Sequence, residues 1–375
     1  MESYEADQKW WRTRFIKGKM LLMIVLLVAF PFLVDKQWLS VAYTINYYIL
    51  AALGVQLLIG YCGQVTLGHA AFVAVGGYCS CLMVMFLPWP EVLRHAGLAY
   101  PISMICAGLL AGVWSVLFGL PSARVKGFYL ILTTMAAQWI TVDLIIQQYV
   151  SQVGGRLQSF SIPTEALKVG PWLLKEPSEI GTWTLESDAK IYYLSVVVVA
   201  ICLLATGNLL RSKFGRAWVA IRDNDIAAET MGVNIVWYKL IAFFVAGFFG
   251  GIAGAFHIST LSFVSPENYP WTYSLIWVGV ILIGGVGSIQ GLVFGSIFVV
   301  GVFKLLELGA GLVNIHLVEY YPQLEWLTMK VDILKDVTFG LAIILFLMYE
   351  PNGLSYRYWQ LKNYFNLWPF SYQAK

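Results

Sequence analysis

Long apolar runs separated by short polar segments occupy most of this chain. A helix needs about 20 mainly apolar residues to cross a bilayer, and about ten runs approach or reach that length. The candidate spans are 19–34, 38–60, 65–87, 99–120, 127–149, 190–210, 237–261, 272–285, 288–308 and 336–350. Only 12% of the residues are charged and 59% are hydrophobic, which leaves too few charges to cover a soluble fold. The sequence therefore predicts an all-α polytopic membrane protein with about ten transmembrane helices.

The positions of Lys and Arg set the expected orientation of the spans. Most basic residues fall in segments that share a side with the N-terminus, which predicts that both termini are cytoplasmic. The first apolar run has no small-residue cleavage site after it, so we expect a retained first span. The predicted units are a cytoplasmic tail at 1–18, a transmembrane domain at 19–355 with an outer loop at 151–189 and an inner loop at 211–236, and a cytoplasmic tail at 356–375.

Several classes of function are disfavoured by the residues present. A net charge of +3 is too small to indicate nucleic-acid binding. Cys79 and Cys81 are two residues apart, so on a helix they point to nearly opposite sides and could not chelate one metal. The sequence has no Gly-x-x-x-x-Gly-Lys-Ser/Thr loop for a triphosphate and no nucleophile–base pair. We therefore predict no catalytic residue, no metal and no cofactor, and the chain is not expected to be an enzyme.

The inner loop has the pattern of two short helices. Ala217, Ala220 and Ile221 recur at helical spacing, and Ala227, Ala228 and Met231 repeat that pattern after a polar interruption. Within the interruption, Asn224 and its neighbours could cap a second helix, which would end at the glycine at position 232. An alternative is an amphipathic hairpin on the lipid headgroups, with Arg216 and Arg222 touching phosphate.

This loop, SKFGRAWVAIRDNDIAAETMGVN at 212–234, resembles the cytoplasmic loop of the branched-chain amino acid permease subunits of ABC importers, the LivM type. It contains an Ala-Ala-x-x-x-Gly pattern similar to the one by which such permeases dock into their ATPases, although Ile226 stands where the family has an acidic residue. The resemblance implies ATPase coupling by a set of loop residues. These are Gly215, Arg216, Ile221, Arg222, Ala227, Ala228 and Gly232.

Other segments carry the same resemblance. They are GYCGQVTLGHAAF (60–72), KLIAFFVAGFFGGIAGAF (239–256), ILIGGVGSIQGLVFGSIF (281–298) and EPNGL (350–354). The resemblance implies a permease subunit of an inner-membrane importer for branched-chain or hydrophobic amino acids. Its implied partners are a second permease subunit of the LivH type, two cytoplasmic ABC ATPase subunits, a periplasmic substrate-binding protein and the lipid bilayer. Segment 153–163 departs from the family pattern at Arg156 and Leu157, which opens the question of cargo.

The 60–72 stretch places polar residues among glycines between two apolar runs. Irregular backbone survives at membrane depth only inside protein or along water, so this stretch predicts a packing and gating hinge. Thr66 is a candidate N-cap for the following span, and His69 is expected to be a hydrogen-bonded structural histidine or a substrate contact. The residues assigned to the hinge or the translocation path are Gly63, Gln64, Thr66, Gly68, His69, Gln138 and His257.

His257 marks the outer end of a span. The sequence does not decide whether this end lines an outer mouth or is a solvated helix end. Asp143, about 24 Å along its span at 1.5 Å per residue, is expected near the outer edge. Small residues recur four apart elsewhere and predict close helix contacts, either within this subunit or with a partner permease. The positions assigned to helix packing are Gly247, Gly251, Gly287, Gly291 and Gly295.

Three alternatives stay open at this stage. The same kind of permease could carry urea, short amides or an aromatic compound. A stand-alone secondary transporter is more distant, because no Asp–Glu–His chain crosses the bilayer midplane as a proton relay requires. A membrane-anchored structural subunit would tolerate changes in the inner loop without any defect in uptake.

Overall fold

The computed structural model describes residues 14–122, 127–150, 159–180, 183–316 and 331–367, and the fold in these ranges is mainly helical. The helices are α1 Arg14–Leu33, α2 Lys36–Val55, α3 His69–Phe86, α4 Glu91–His95, α5 Ala99–Ser122, α6 Phe128–Trp139, α7 Ser187–Arg211, α8 Lys213–Asp223, α9 Asp225–Thr230, α10 Ile235–His257, α11 Thr272–Gly284, α12 Ile289–His316, α13 Val331–Tyr349 and α14 Gly353–Leu367. Two of them continue as π-helices: α2 through Gln56–Tyr61 and α6 through Ile140–Val150.

Seven helices within the described ranges are long and apolar enough to cross a membrane. They contain α2, α3, α5, α6, α7, α10 and α12, with the π-helical continuations of α2 and α6 counted in. The other predicted spans also fall on helices, namely α1, α11 and α13. Helix α11 has 13 residues and covers about 20 Å, short of the roughly 30 Å of hydrocarbon. The chain is thus a multi-pass helical protein, and the number of about ten spans stays a prediction.

Helix α10 is the centre of the bundle. It packs against α5, α3 and α2, and most of its residues from Ala242 onward are buried. Close packing is possible because this helix carries four glycines and several alanines, which let neighbouring backbones approach. In contrast, the outer faces of α1 and α5 expose Leu, Ile and Val side chains, as expected for helices that meet lipid.

Short strands lie at one end of the bundle, which we call the hairpin end. The strands are β1 Phe160–Ser161, β2 Lys168–Val169, β3 Trp172–Leu173, β4 Ser178–Ile180, β5 Trp183–Leu185 and β6 Phe263–Val264, paired antiparallel as β1–β6, β2–β3 and β4–β5. The buried Lys190, on the first turn of α7, donates to the carbonyls of Leu173 (2.9 Å) and Glu176 (2.6 Å) and fixes these hairpins to the bundle. The sequence did not predict these short strands, most of which lie within the predicted outer loop at 151–189.

Two predicted boundaries also differ from the structure. The tail predicted at 356–375 begins inside a helix, because α14 runs from Gly353 to Leu367 and packs against α11 and α12. The span predicted at 65–87 begins at His69 instead. Parts of the predicted tails and outer segments lie outside the described residues. They include 1–13, 151–158 with Arg156, 317–330 and 368–375.

Candidate functional site

Helices α8 and α9 form a polar elbow at the end of the bundle opposite the hairpins, and we call this end the elbow end. Each helix has a side-chain cap: Ser212 Oγ accepts from the Phe214 amide at 3.2 Å, and Asn224 Oδ1 accepts from the Ala227 amide at 3.1 Å. Gly232 has a φ of +84°, which favours glycine and ends the elbow. The two-helix arrangement predicted from the sequence is confirmed by this local structure.

The inner face of the elbow is fixed to the spanning helices. Trp218 is fully buried, and its Nε1 donates to the Tyr238 carbonyl at the start of α10 at 2.8 Å. Ile221 and Ala217 are buried on the same face. Gly215 is buried where α7 turns into α8, and a Cβ there would overlap the Leu210 carbonyl oxygen. The elbow is therefore packed against the end of α7 and the start of α10.

The outer face of the elbow is exposed and partly apolar. Ile226 is 69% exposed and Met231 is 86% exposed. Ala227 and Gly232 also face outward, whereas Ala228, which the sequence placed with them, is buried. Exposed apolar groups on an otherwise polar segment are typical of a surface that another protein covers.

The glycine hinge predicted at 60–72 begins with a change of helix type. Helix α2 widens into a π-helix at Gln56–Tyr61, and Gly63 follows with a φ of +71°. The sequence predicted that Thr66 caps α3, but the structure shows a different N-cap. Gly68 is the N-cap residue and provides no side chain, and Thr66 Oγ1 accepts only the Gly68 amide, at 3.4 Å. A Cβ on Gly68 would overlap the Thr134 carbonyl of α6, so only glycine fits at that crossing.

Arg222 joins the elbow to this hinge. Its Nη1 donates to the Gly60 carbonyl at 2.8 Å, while Nε and Nη2 bond to Asp223 Oδ1. A Cβ on Gly60 would lie 2.7 Å from the Gly287 amide nitrogen, so the π-helical turn and the turn after α11 touch through backbone alone. Three elements therefore meet at one point beside the Arg222 guanidinium.

Gln56 strengthens the same junction from inside the bundle. Its Nε2 donates to the carbonyls of Gly285 (3.2 Å) and Ser288 (3.1 Å), and the side chain is buried. Gly285 and Gly287 both have positive φ, at 121° and 79°, which makes the tight turn between α11 and α12. Gln56 thus links the end of α2 to the α11–α12 turn through two hydrogen bonds.

A cleft of about 350 Å³ separates the hinge from the elbow. Gln64, Arg222 and the buried Lys239 are among its lining residues. Cys62 also lines it, and burial raises the pKa of that thiol to about 12, with nearby Lys239 acting in the opposite direction. Burial thus disfavours the thiolate at this position, as is usual for a structural cysteine.

The two predicted histidines lie deeper in the bundle than their sequence context indicated. His69 is fully buried, beside Gly54 and Gly250, and neither ring nitrogen forms a hydrogen bond of normal geometry with the described residues, although the Ala51 carbonyl is near. His257 does not form a solvated helix end, because its ring stacks on Tyr47 with centroids 4.3 Å apart. Tyr269 packs edge-on against His257 at 5.8 Å.

The predicted packing glycines contact helices of this same chain. Gly247 and Gly251 of α10 face α5, where a Cβ on Gly251 would lie 2.7 Å from the Ala107 carbonyl oxygen. Gly291 and Gly295 of α12 face the backbone of α11. Gly287 lies in the turn beside Gly60, so it belongs to the hinge geometry and not to a helix face.

Together these elements define a polytopic helical membrane protein with an elbow anchored to the ends of its spans. The chain belongs to the family described as "Branched-chain amino acid transport system / permease component", which it matches over residues 37–347. This finding confirms the resemblance inferred from the motifs. Helix α14 lies beyond the matched region.

Two kinds of permease protein are similar in sequence to this chain. The chain is 29% identical over 298 residues to the high-affinity branched-chain amino acid transport system permease protein LivM of Escherichia coli, covering 76% of this chain and 68% of that protein. The LivM protein of Salmonella typhimurium is 28% identical with the same coverage. The autoinducer 2 import system permease protein LsrC of Escherichia coli is 27% identical over 299 residues, covering 77% of this chain and 78% of LsrC. No solved structure matches the chain.

Sequence reasoning missed the partners that complete the site. Gln56 and Trp218 were not singled out, although a glutamine inside an apolar span requires a buried partner. Gln138 was assigned to the hinge or the translocation path, and no partner was predicted for it. The structure shows its Nε2 donating to the Tyr269 carbonyl at 3.1 Å.

Proposed function

We propose that this chain is the permease subunit of an ABC importer of the inner membrane that translocates branched-chain and other hydrophobic amino acids. Two separate cytoplasmic ATPase subunits drive it, a LivH-type permease forms the other half of the pathway, and a periplasmic binding protein delivers the solute. The elbow end faces the cytoplasm, the termini lie on that side, and about ten helices span the bilayer.

The observation that carries this proposal is the elbow with its two different faces. Its inner face is anchored through Trp218 and Arg222, and its outer face exposes Ile226 and Met231 next to Gly232. Such an element can receive a push on one side and deliver it to the spans on the other. The chain's own LivM-like sequence supports amino acids as the cargo.

The proposed mechanism follows the contacts from the elbow inward. Closure of the ATPases displaces α9, and the buried Trp218 carries this displacement to α10. Arg222 transmits it to the Gly60 carbonyl, and Gln56 transmits it on to the α11–α12 turn. The π-helical turn and the positive-φ glycines absorb the change in backbone angles, so that the spans tilt and alternate access between the two sides.

The cargo is tested by uptake into vesicles that contain the intact importer and its binding protein. We expect ATP-dependent accumulation of labelled leucine, isoleucine and valine. Unlabelled urea and short amides should not compete, and LsrC-type cargo should not compete either. Accumulation of urea with no accumulation of leucine would contradict the amino-acid assignment but keep the transport class. Uptake by the chain alone without ATP would contradict the class.

Substitution of Gly232 tests the docking face. A Cβ at this exposed glycine meets no atom within 4 Å, so Gly232→Trp leaves the fold of the subunit intact apart from the strain of a positive φ, about 1 kcal/mol. The indole would occupy the surface proposed for the ATPase. We expect normal membrane insertion with uptake and transport-coupled ATP hydrolysis reduced several-fold. Gly170→Trp is the matched control, because that glycine also has a positive φ and open space but lies at the hairpin end.

A further inference from the structure

A cavity of about 460 Å³ opens between the π-helical part of α6 and the segment that joins α10 to α11. Its walls combine two carboxylates, Asp143 and Glu267, with the aromatic side chains of Trp139, Tyr269 and Trp271. It lies toward the hairpin end, where α6 and α10 finish, and it is separate from the elbow and the hinge.

The backbone around the cavity is irregular at a depth where lipid would otherwise be expected. Helix α11 has only 13 residues, and Tyr269, in the non-helical segment before it, is fully buried. On the opposite wall, α6 is wound as a π-helix from Ile140 onward. Short and interrupted spans with irregular backbone that lines a cavity are the pattern found at solute sites of membrane transporters.

A buried polar atom in the wall is left without a partner. Gln138 is 2% exposed and lines the cavity, and its amide nitrogen is used by the Tyr269 carbonyl. Its Oε1 has no hydrogen-bond partner among the residues that the structure describes. The atom is shielded from solvent, so a donor in the cavity reaches it only when the side chain turns toward the cavity.

The charged groups in the cavity wall indicate which kind of hydrogen-bond donor the cavity can bind. Within the described ranges, neither Asp143 nor Glu267 forms an ion pair, and the described lining residues include no Lys or Arg. Carboxylates and an amide oxygen are all acceptors, and the indole and phenol faces attract cations while also packing against apolar groups. These walls match a solute that combines an ammonium group with an apolar skeleton.

We propose that this cavity is a subsite that binds the ammonium group of a small apolar amine-bearing solute, with the hydrophobic amino acids as its substrate class. The proposal rests on the proposed function and extends it by assigning a place of contact within this subunit. Asp143 and Glu267 accept from the ammonium group, Gln138 Oε1 accepts a third hydrogen bond, and the aromatic rings contact the aliphatic side chain.

The first test measures transport kinetics of the intact importer with a double variant, Asp143→Asn with Glu267→Gln. We expect the KM for leucine to rise about three- to tenfold at nearly unchanged kcat, since half-exposed charge-assisted contacts are modest in strength. Glu91→Gln, which removes an exposed carboxylate of α4 at the same end, should leave the KM unchanged. Wild-type uptake of leucine together with an unaltered KM in the double variant would overturn the subsite but not the proposed function.

A second test does not depend on uptake. Ser159 lines the cavity, and Ser159→Cys in the purified importer reports access by thiol reagents. We expect the cationic methanethiosulfonate to react at least about fivefold faster than the anionic one, with this preference lost in the double carboxylate variant. Leucine should slow the reaction, whereas 4-methylpentanoate, which lacks the amine, should not. Equal rates, no reaction, or equal protection by both compounds would each overturn the subsite, whatever the cargo assay shows.

Discussion

Arg222→Ala is expected to uncouple the importer, with uptake reduced about tenfold or more, the factor that corresponds to a coupling free energy of about 1.4 kcal/mol. The Arg222 guanidinium connects the elbow to the Gly60 carbonyl, and an alanine side chain is too short to reach that carbonyl. The side chain is partly exposed, so its loss leaves no buried charge and the subunit should still fold and assemble. The measurement is the ratio of leucine transported to ATP hydrolysed in reconstituted vesicles.

Two further variants separate transmission from general loss of charge. Lys213→Ala removes an exposed cation of the same helix, one that lies 5.5 Å from the Phe214 ring centroid, and it should keep the wild-type ratio. Arg222→Lys keeps the charge but loses the planar fork, so an intermediate ratio is expected. If Arg222→Ala transported as many molecules per ATP as the wild type, the route through Gly60 would be wrong.

The parts of this fold that sequence predicts are those governed by local chemistry. Apolar run length located the helices, because a bilayer imposes nearly the same length on every span. The elbow was predictable because Asn224 and Gly232 carry capping preferences that act within a few residues. The break at Gly63 was predictable for the same reason, since a positive φ favours glycine.

The parts that sequence did not predict depend on contacts distant in the chain. Thr66 has the chemistry of an N-cap, but the N-cap is Gly68, which crosses α6 closely, so the helix starts two residues later than Thr66 would set it. His257 looked like a polar helix end, yet stacking on Tyr47 places it among aromatic rings. The hairpins at 168–185 depend on Lys190, whose burial no local pattern indicates. Each of these outcomes was decided by tertiary packing.

The second large effect is expected at the centre of the bundle, from Gly251→Ala. Alanine is favoured over glycine in a helix by about 1 kcal/mol, so the substitution would stabilise an unpacked position. At Gly251 the new Cβ would instead lie 2.7 Å from the Ala107 carbonyl oxygen and 2.8 Å from the Gly108 Cα. These are backbone atoms of α5, which no rotamer change can move. Helix α10 must separate from α5, and we expect the subunit to be destabilised by about 1–3 kcal/mol.

Gly301→Ala in α12 is the matched control for that prediction. This glycine is also inside a long apolar helix, but a Cβ there meets no atom of the chain within 4 Å. The two variants should therefore shift the unfolding midpoint in detergent in opposite directions, down for Gly251→Ala and slightly up for Gly301→Ala. An unchanged or slightly raised midpoint for Gly251→Ala would mean that α10 and α5 are not held at contact distance. In that case the small residues of α10 would contact a neighbouring subunit and not α5. A Cβ on such an open face meets no backbone, so the substitution changes stability only through the higher helix propensity of alanine.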